Sequence, residues 1–270
     1  MTTTGKIGWI QAGFFWMAVA VCAWAGSGPD GKNEKAPAGE IAYLCREKGV
    51  LILKTVPRGG GDERTLKEGV LPNACLTPAK TILTWDDKRA VEIDASGKTL
   101  WEFPWDRLDG ISVKKILSLE SLADGHLLLS INAGAGEVVV ALADRQGTIL
   151  RQMASPGSLR SVQALDEKGE EGVIALAPPR QIVEMDWNGK TLRTIPLPKE
   201  YNGCTDMARL PDGHYIVAAH TPALPPLAGE AKSGRVAELD AEGKKIWEGS
   251  HGCPRSIQPL PDGTVLIGAG

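Results

Sequence analysis

Short apolar runs, each closed by a turn-forming group, follow one another along most of this chain. A Leu-x-Asp-Gly turn followed by an aliphatic run occurs three times, at residues 122–129, 210–217 and 260–267. The Asp-Gly pair favours the positive backbone dihedrals of a two-residue β-hairpin, and runs of about five β-branched or aliphatic residues are typical of strands. No longer stretch shows the 3.6-residue periodicity of a helix. The pattern therefore predicts an all-β protein.

A second phrase, with Glu-x-Asp-x-x-Gly at its centre, also recurs, at residues 91–97, 183–189 and 237–243, with a degenerate copy at 140–148. Its Asp is predicted to cap the turn beside the Gly rather than bind calcium, since no loop has alternating oxygen ligands. Trp101 and Trp247 follow this turn at the same place, which predicts that they wedge between neighbouring sheets. Two hairpins per unit predict four-stranded antiparallel sheets at about 70–103, 111–152, 158–197 and 203–249.

The two ends of the array suggest how it closes. After the fourth unit the chain holds one further hairpin, at 253–269, while residues 39–53 resemble the outer hairpin at 234–247. Joining the two halves predicts a five-bladed β-propeller over residues 39–270, whose last blade is shared by the N- and C-terminal strands and leaves no free sheet edge. The alternative is a truncated array that once held a sixth blade.

The two phrases, Leu-Pro-Asp-Gly and Val-Glu-x-Asp-x-x-Gly-Lys-x-x-Trp-Glu, are similar to the repeats of bacterial quinoprotein-like and arylsulfotransferase-like β-propellers. The resemblance covers about residues 39–270 and implies the propeller fold. This chain has one residue fewer between Asp and Gly-Lys than the usual quinoprotein repeat, at Asp94, Asp186 and Asp240, and it has no adjacent cysteine pair. Quinone binding is therefore disfavoured, and no cofactor is predicted.

The N-terminal segment has the sequence features of a secretory signal peptide. Lys6 precedes an apolar stretch that ends in Ala23-Trp24-Ala25, a small-x-small cleavage pattern. We expect a signal peptide at residues 1–25, a flexible leader at 26–38 and a periplasmic or extracellular protein. The alternative is an uncleaved anchor, the one case that would involve a membrane.

The charge balance and the cysteine count limit which partners and which cellular compartment are expected for this protein. The 270 residues carry 30 basic and 33 acidic side chains, a net charge of −3, so nothing points to a nucleic-acid partner. Cleavage after Ala25 would leave four cysteines, a number that suits an oxidising compartment and allows three pairings. The alternative is that they are small buried apolar residues. These cysteines are Cys45, Cys75, Cys204 and Cys253.

Aligning the first strands of the units brings polar side chains together. The third unit has Arg160-Ser161-Val162-Gln163, the last has Arg255-Ser256-Ile257-Gln258, and the fourth has Thr205 and Asp206 at the Arg and Ser positions. The alignment predicts a cluster near the mouth of a central channel, made of Arg160, Gln163, Asp206, Arg255 and Gln258. It would be either an anion site with arginine forks or a network that joins the blades.

His251 precedes the last inner strand and is the one histidine near that mouth, where it could act as an acid, a base or a nucleophile, or simply be a solvated loop residue. Neither Cys-x-x-Cys nor His-x-x-x-His occurs, so no metal site is predicted. The favoured function is non-catalytic binding of a small anionic ligand, a glycan or a protein at the central face. The alternative is an enzyme resembling arylsulfotransferases, with His251 and the arginines handling an anionic group.

Overall fold

The computed structural model describes β-strands along most of the chain. The two helical elements among the described residues are short 3-10 helices, Trp105–Arg107 and Lys199–Tyr201. Within this part of the chain, no helix has the length and apolar character needed to cross a bilayer. The described residues are 20–24, 40–47, 50–57, 64–71, 73–155, 159, 161–166, 169, 171–178, 181–201, 203–220, 234–251, 254–259 and 265–269.

Four strands in the described part of the chain precede the repeated units: β1 (Ala20–Trp24), β2 (Glu40–Glu47), β3 (Val50–Pro57) and β4 (Arg64–Glu68). The first blade contains β5 (Asn73–Leu76), β6 (Ile82–Trp85), β7 (Arg89–Ile93) and β8 (Thr99–Pro104). The second contains β9 (Lys115–Ser121), β10 (Leu127–Gly134), β11 (Glu137–Ala143) and β12 (Ile149–Ala154).

The third blade contains β13 (Val162–Ala164), β14 (Val173–Ala177), β15 (Gln181–Met185) and β16 (Thr191–Pro196). The fourth contains β17 (Cys204–Arg209), β18 (Tyr215–His220), β19 (Gly234–Leu239) and β20 (Lys245–His251). The last described strands are β21 (Pro254–Pro259) and β22 (Val265–Ala269). Within each blade the four strands pair antiparallel in chain order, so the four predicted units are confirmed.

The blades stack face to face through apolar cores. Separate clusters join the first blade to the second, the second to the third, and the third to the fourth, and Ile257 of β21 completes a cluster with the fourth. Gln258 of β21 then hydrogen-bonds the backbone of Leu76 in the first blade. The sheets therefore follow one another around a closed ring, and the fold is a β-propeller. Because each sheet is covered on both faces, strands such as β10 are buried without alternation.

The predicted count of five blades is wrong: the described residues form four four-stranded blades. The hairpin β2–β3 forms a three-stranded sheet with β4, and β21–β22 pairs instead with β1, in a register from Ala20↔Ala269 to Trp24↔Val265. The predicted joint closure by residues 39–53 is therefore also wrong. The free edge of β22 is taken by β1, and β3 pairs with β4 across a short connection, so the hairpin β2–β3 does not complete the C-terminal sheet.

The repeated Asp closes its hairpin as predicted. Asp94 Oδ1 accepts the backbone N–H groups of Ser96 (2.8 Å) and Lys98 (3.0 Å). The hydroxyl of Ser96 also donates to this carboxylate and holds the pKa of Asp94 below its usual value. The equivalent aspartates of the other blades make the same pair of backbone bonds, including the degenerate copy; they are Asp144, Asp186 and Asp240.

Every blade carries a β-bulge at the same place on its outermost strand. The extra, unpaired residue is an aliphatic side chain that is about half exposed; these residues are Leu100, Leu150, Leu192 and Ile246. A bulge bends and twists an edge strand, which discourages pairing with a second protein. The repeated bulge therefore protects the perimeter of the propeller from edge-to-edge association.

In the first and third blades, the residue after the bulge joins its blade to the next. Trp101 Nε1 donates to the carbonyl of Arg145 at 3.3 Å, and the Arg145 guanidinium lies 4.7 Å from the centre of the Trp101 ring. At the same place in the third blade, Arg193 donates to the carbonyl of Ala241 at 2.5 Å. The wedge predicted for Trp101 is confirmed, and Trp247 packs on the cluster that the fourth blade shares with Ile257.

The glycine of the Asp-x-x-Gly turn has two distinct environments. Gly147 (φ +94°) packs against the preceding blade so closely that a Cβ there would lie 2.4 Å from Phe103 Cζ and 2.8 Å from the Arg107 carbonyl oxygen. Gly189 (φ +76°) occupies the same turn of the third blade, and no heavy atom lies within 4 Å of its Cβ position. Both need the left-handed conformation, but only Gly147 is also needed for packing.

We expect Gly147→Ala to lower the free energy of unfolding by roughly 2–4 kcal/mol, because overpacking adds to the strain of a positive φ. The matched variant Gly189→Ala should lose only about 1–2 kcal/mol, the cost of backbone strain. Urea unfolding followed by tryptophan fluorescence measures both values. Equal losses in the two variants would contradict the close contact between the first and second blades.

Candidate functional site

The first strands of successive blades are joined by side chains that accept backbone hydrogen bonds. Glu120 Oε2 on β9 accepts the N–H of Ala164 on β13 at 2.9 Å. Gln163 Oε1 on β13 accepts the N–H of Arg209 on β17 at 3.0 Å. These first strands are therefore neighbours, and they form the inner ring of the propeller.

The same arrangement continues around the ring to its starting point. Asp206 Oδ2 on β17 accepts the N–H of Ile257 on β21 at 2.7 Å. Gln258 on β21 accepts the N–H of Leu76 through Oε1 at 3.0 Å and donates through Nε2 to the Leu76 carbonyl at 2.7 Å. The Cys75 thiol on β5 has a backbone hydrogen bond from Ser121 on β9. We call this set the inter-blade belt: Cys75, Glu120, Gln163, Asp206 and Gln258.

Four members of the belt occupy one equivalent position. Each of the four pairs with the second residue of the neighbouring strand in its own sheet. The pairs are Cys75 with Leu83, Glu120 with Leu128, Gln163 with Ile174, and Gln258 with Leu266. The register therefore supports the predicted alignment of Gln163 with Gln258. In the fourth blade this position is Ala208, opposite Ile216, and Asp206 lies two residues earlier.

The displacement of Asp206 has a simple cause in the next strand. On the other inner strands, the backbone N–H that donates to the side chain of the preceding strand belongs to the residue just after the equivalent position defined above. These donors are Leu76, Ser121, Ala164 and Arg209. On β21 that residue is Pro259, which has no N–H to donate. The nearest N–H that points the same way is two residues earlier, at Ile257, and Asp206 is displaced by the same two residues to meet it.

Burial sets the ionisation of the three acidic groups. It raises the pKa of Glu120 to about 7, with the negative charge of Asp206 adding to the effect and the Ala164 N–H opposing it. It raises the pKa of Asp206 to about 6, although hydrogen bonds from the Ser161 hydroxyl and from backbone N–H groups oppose the change. It raises the pKa of the Cys75 thiol to about 12, so at neutral pH this cysteine is protonated and a poor nucleophile.

The predicted cluster falls partly within the described residues. Gln163, Asp206 and Gln258 lie on three successive inner strands, where each serves the belt. Arg160 lies outside the described residues, as do the side chains of Arg255 and His251. Cys75 is a free thiol and Cys204 is buried between the third and fourth blades, while Cys253 and the side chain of Cys45 also lie outside this part of the structure.

The backbone of Arg255 occupies a special place beside Asp206. On β21, Pro254 pairs with Ala269 and Ser256 with Gly268, so Arg255 is the extra residue of a β-bulge. Thr205 is the extra residue of the equivalent bulge on β17, and its hydroxyl donates to the Pro254 carbonyl at 2.9 Å. Arg255 therefore lies between two residues, Pro254 and Ile257, that the fourth blade holds by hydrogen bonds.

His251 is the last residue of β20, where it pairs with Gly234. Its backbone therefore belongs to the outermost strand of the fourth blade, three residues before the inner strand β21 begins. The sequence pattern, which placed His251 next to an inner strand, does not show which of the two strands holds it.

Two members of the belt, Cys75 and Glu120, were not identified from the sequence. The Arg-Ser-x-Gln match drew attention to the third, fourth and last inner strands only. Extending the alignment to the residue two before each Leu-x-Asp-Gly turn would have found Glu120, two residues before Leu122. Cys75 carries no such signal, since its turn at residues 77–80 lacks the Asp-Gly pair.

A second cluster of polar side chains lies at the turn that follows β17, at the end of that strand away from Asp206. His214 Nδ1 is 2.8 Å from Glu238 Oε1 and 3.5 Å from Asp212 Oδ2, and the ligand atoms of all three residues lie within 4.8 Å of one another. The hydrogen bond to Glu238 raises the pKa of His214. No recognised sequence motif joins these residues, because Glu238 reaches the turn through the pairing of β18 with β19.

No protein-family model matches the chain, and no curated protein matches it. Among solved structures, the chain is similar to a protein of unknown function from Bacteroides caccae, with 16% identity and a TM-score of 0.43 over 74% of this chain and 90% of that one. It is also similar to the WD40 domain of Pan2 from Neurospora crassa, with 9% identity and a TM-score of 0.48 over 90% of this chain and 74% of that one.

We expect Glu120→Gln to stabilise the protein above neutral pH. The pKa of Glu120 is about 7 in the folded state and 4.5 ordinarily. Its contribution is therefore fully present at low pH and is lost as pH rises from about 4.5 to 7. Glutamine keeps the acceptor for Ala164 and removes the charge, as Gln163 and Gln258 already do. The free energy of unfolding should rise by about 1–3 kcal/mol at pH 8 and stay unchanged near pH 4.5.

Asp206→Asn is the matched control, because both Asp206 oxygens accept a backbone N–H, from Met207 and Ile257. Asparagine has one oxygen, so this variant should lose about 1 kcal/mol or more even at pH 8. Denaturant unfolding as a function of pH tests both changes. A Glu120→Gln profile that coincides with the unsubstituted protein would contradict the buried charge at Glu120.

Proposed function

We propose that this chain is an exported β-propeller that binds an anionic group on the face where its inner strands begin, without catalysing a reaction. The anionic group would be carried by a small molecule, a glycan or a protein. The observation that carries the proposal is the β-bulge at Arg255, next to the carboxylate of Asp206.

A bulge re-aims a side chain away from the regular alternation of a strand, and bulges are common beside binding sites. The Arg255 bulge is held on both sides, by Thr205 at Pro254 and by Asp206 at Ile257. A fixed backbone lowers the entropy that an arginine loses when it binds a ligand. This support favours a preformed site.

The third blade contributes to the same place. Asp206 has a side-chain hydrogen bond from Ser161, and Ser161 directly follows Arg160 in the sequence. Two arginines flanking one carboxylate would leave a net positive charge, and the planar guanidinium binds carboxylate, sulfate and phosphate through paired hydrogen bonds.

Arg255→Ala should weaken the binding of an anion about tenfold or more, since a charge-assisted hydrogen bond contributes on the order of 1.5–3 kcal/mol. Titration calorimetry with inorganic sulfate, citrate and a heparin disaccharide measures the affinity. Arg151→Ala is the matched control, because Arg151 is exposed on the outer strand β12, and it should leave affinity unchanged. Unaltered affinity in Arg255→Ala, or no binding of any of the three probes, would refute the site.

We also propose export with cleavage near Ala25, on the basis of Lys6, the apolar stretch and the Ala-Trp-Ala pattern. Cleavage there would remove β1 and leave β22 as an edge strand, since β1 is its partner on that side. N-terminal sequencing of protein recovered from the periplasm or the medium should begin close to Gly26. A chain that keeps Met1 and stays with the cytoplasmic fraction would exclude export.

A further inference from the structure

The turn between β17 and β18 places three potential metal ligands around one point. Asp212 Oδ1 accepts the backbone N–H of His214 at 3.1 Å, and its other oxygen, Oδ2, lies 3.5 Å from the imidazole. Glu238 pairs with Ile216 across the sheet, so its position is fixed by β19 rather than by the turn. The imidazole Nδ1 faces both carboxylates.

We propose that Asp212, His214 and Glu238 form a binding site for a divalent transition-metal ion, with Zn²⁺ as the best match to these ligands. This site lies at the opposite end of β17 from Asp206, so it does not depend on the proposed anion-binding function.

The ligand types and their spacing fit such an ion. Zinc binds imidazole nitrogen at about 2.0–2.1 Å and carboxylate oxygen at about 2.0–2.2 Å. At these bond lengths the donor atoms of one zinc ion lie about 3–4 Å apart. The three donors here lie within 4.8 Å of one another, with Nδ1 2.8 Å and 3.5 Å from the two carboxylates, so a small movement of the exposed side chains brings all three to bonding distance of one ion. Magnesium and calcium prefer oxygen ligands throughout, so the imidazole selects against them.

The surroundings favour a cation and leave it accessible. Asp240 acts electrostatically on the same imidazole, so a third carboxylate adds to the negative potential. The side chains of His214 and Glu238 are 32% and 25% exposed, which gives solvent a path to the metal. Three protein ligands would leave at least one coordination position for water or for a donor atom from a partner.

The second blade supplies a natural comparison. Its turn also contains Asp-Gly-His, and His126 Nδ1 lies 2.8 Å from Asp124 Oδ2. The residue equivalent to Glu238 is Leu142, which pairs with Leu128 in the same register. The second blade therefore has two of the three ligands. A pair of exposed ligands holds a metal weakly, so the turn of the second blade should not compete.

Titration calorimetry of the tag-free full chain with zinc chloride, at about pH 8 where a histidine is ordinarily neutral, tests the proposal. We expect one zinc ion per chain at this site and a rise in Tm when zinc is added. Glu238→Leu, which copies the second blade, should weaken that binding about tenfold or more, and His214→Ala should abolish it. His126→Ala is the matched control and should bind zinc as the unsubstituted protein does.

Glu238→Gln provides a second variant that keeps the size of the side chain, so a loss of binding there does not reflect misfolding. Circular dichroism and the zinc-free Tm confirm the fold of each variant. The proposal is overturned if the unsubstituted chain takes up no zinc at about 1 mM, or if His214→Ala and Glu238→Gln bind zinc as tightly as the unsubstituted chain.

Discussion

The propeller depends on the hydrogen bonds that the inter-blade belt makes between one inner strand and the next. An inner strand has a partner on one side only, so the N–H groups of its other edge face the centre of the ring without a ladder. Apolar packing holds the blades together but does not fix their relative position, because the hydrophobic effect has no direction. A side-chain acceptor that reaches the N–H of the next strand satisfies the edge and also sets the register between blades.

The belt explains why an acidic group lies at the start of β17. Pro259 cannot donate a hydrogen bond, so the acceptor of the fourth blade is Asp206 rather than a residue at position 208. The same carboxylate fixes Ile257, and Thr205 fixes Pro254, on the two sides of the Arg255 bulge. A structural compensation for one proline thus holds the backbone of the arginine on which the proposed anion site depends. The cost is a partly buried carboxylate whose pKa is raised to about 6.

The outer contacts show that the blades are related in pairs. The second and fourth blades each place a turn glycine, Gly147 and Gly243, against the preceding outer strand. The first and third blades each end in a 3-10 helix with a buried aromatic residue, Trp105 or Tyr201. The interface between the second and third blades lacks this arrangement among the described residues. The described contacts therefore relate the first and second blades to each other in the same way as the third and fourth.

The sequence by itself determined the local structure: the all-β class, the four blade units, the Asp-capped turns and the wedge at Trp101. These features depend on contacts between residues close in the chain or repeated at one spacing, and such contacts leave a pattern in the residues themselves. The tertiary structure decided the partner of each terminal hairpin, the belt that includes Cys75 and Glu120, and the meeting of Glu238 with His214. These depend on which edges and strands come together across the ring, and contacts between residues that lie far apart in the chain leave no local pattern from which they could be predicted.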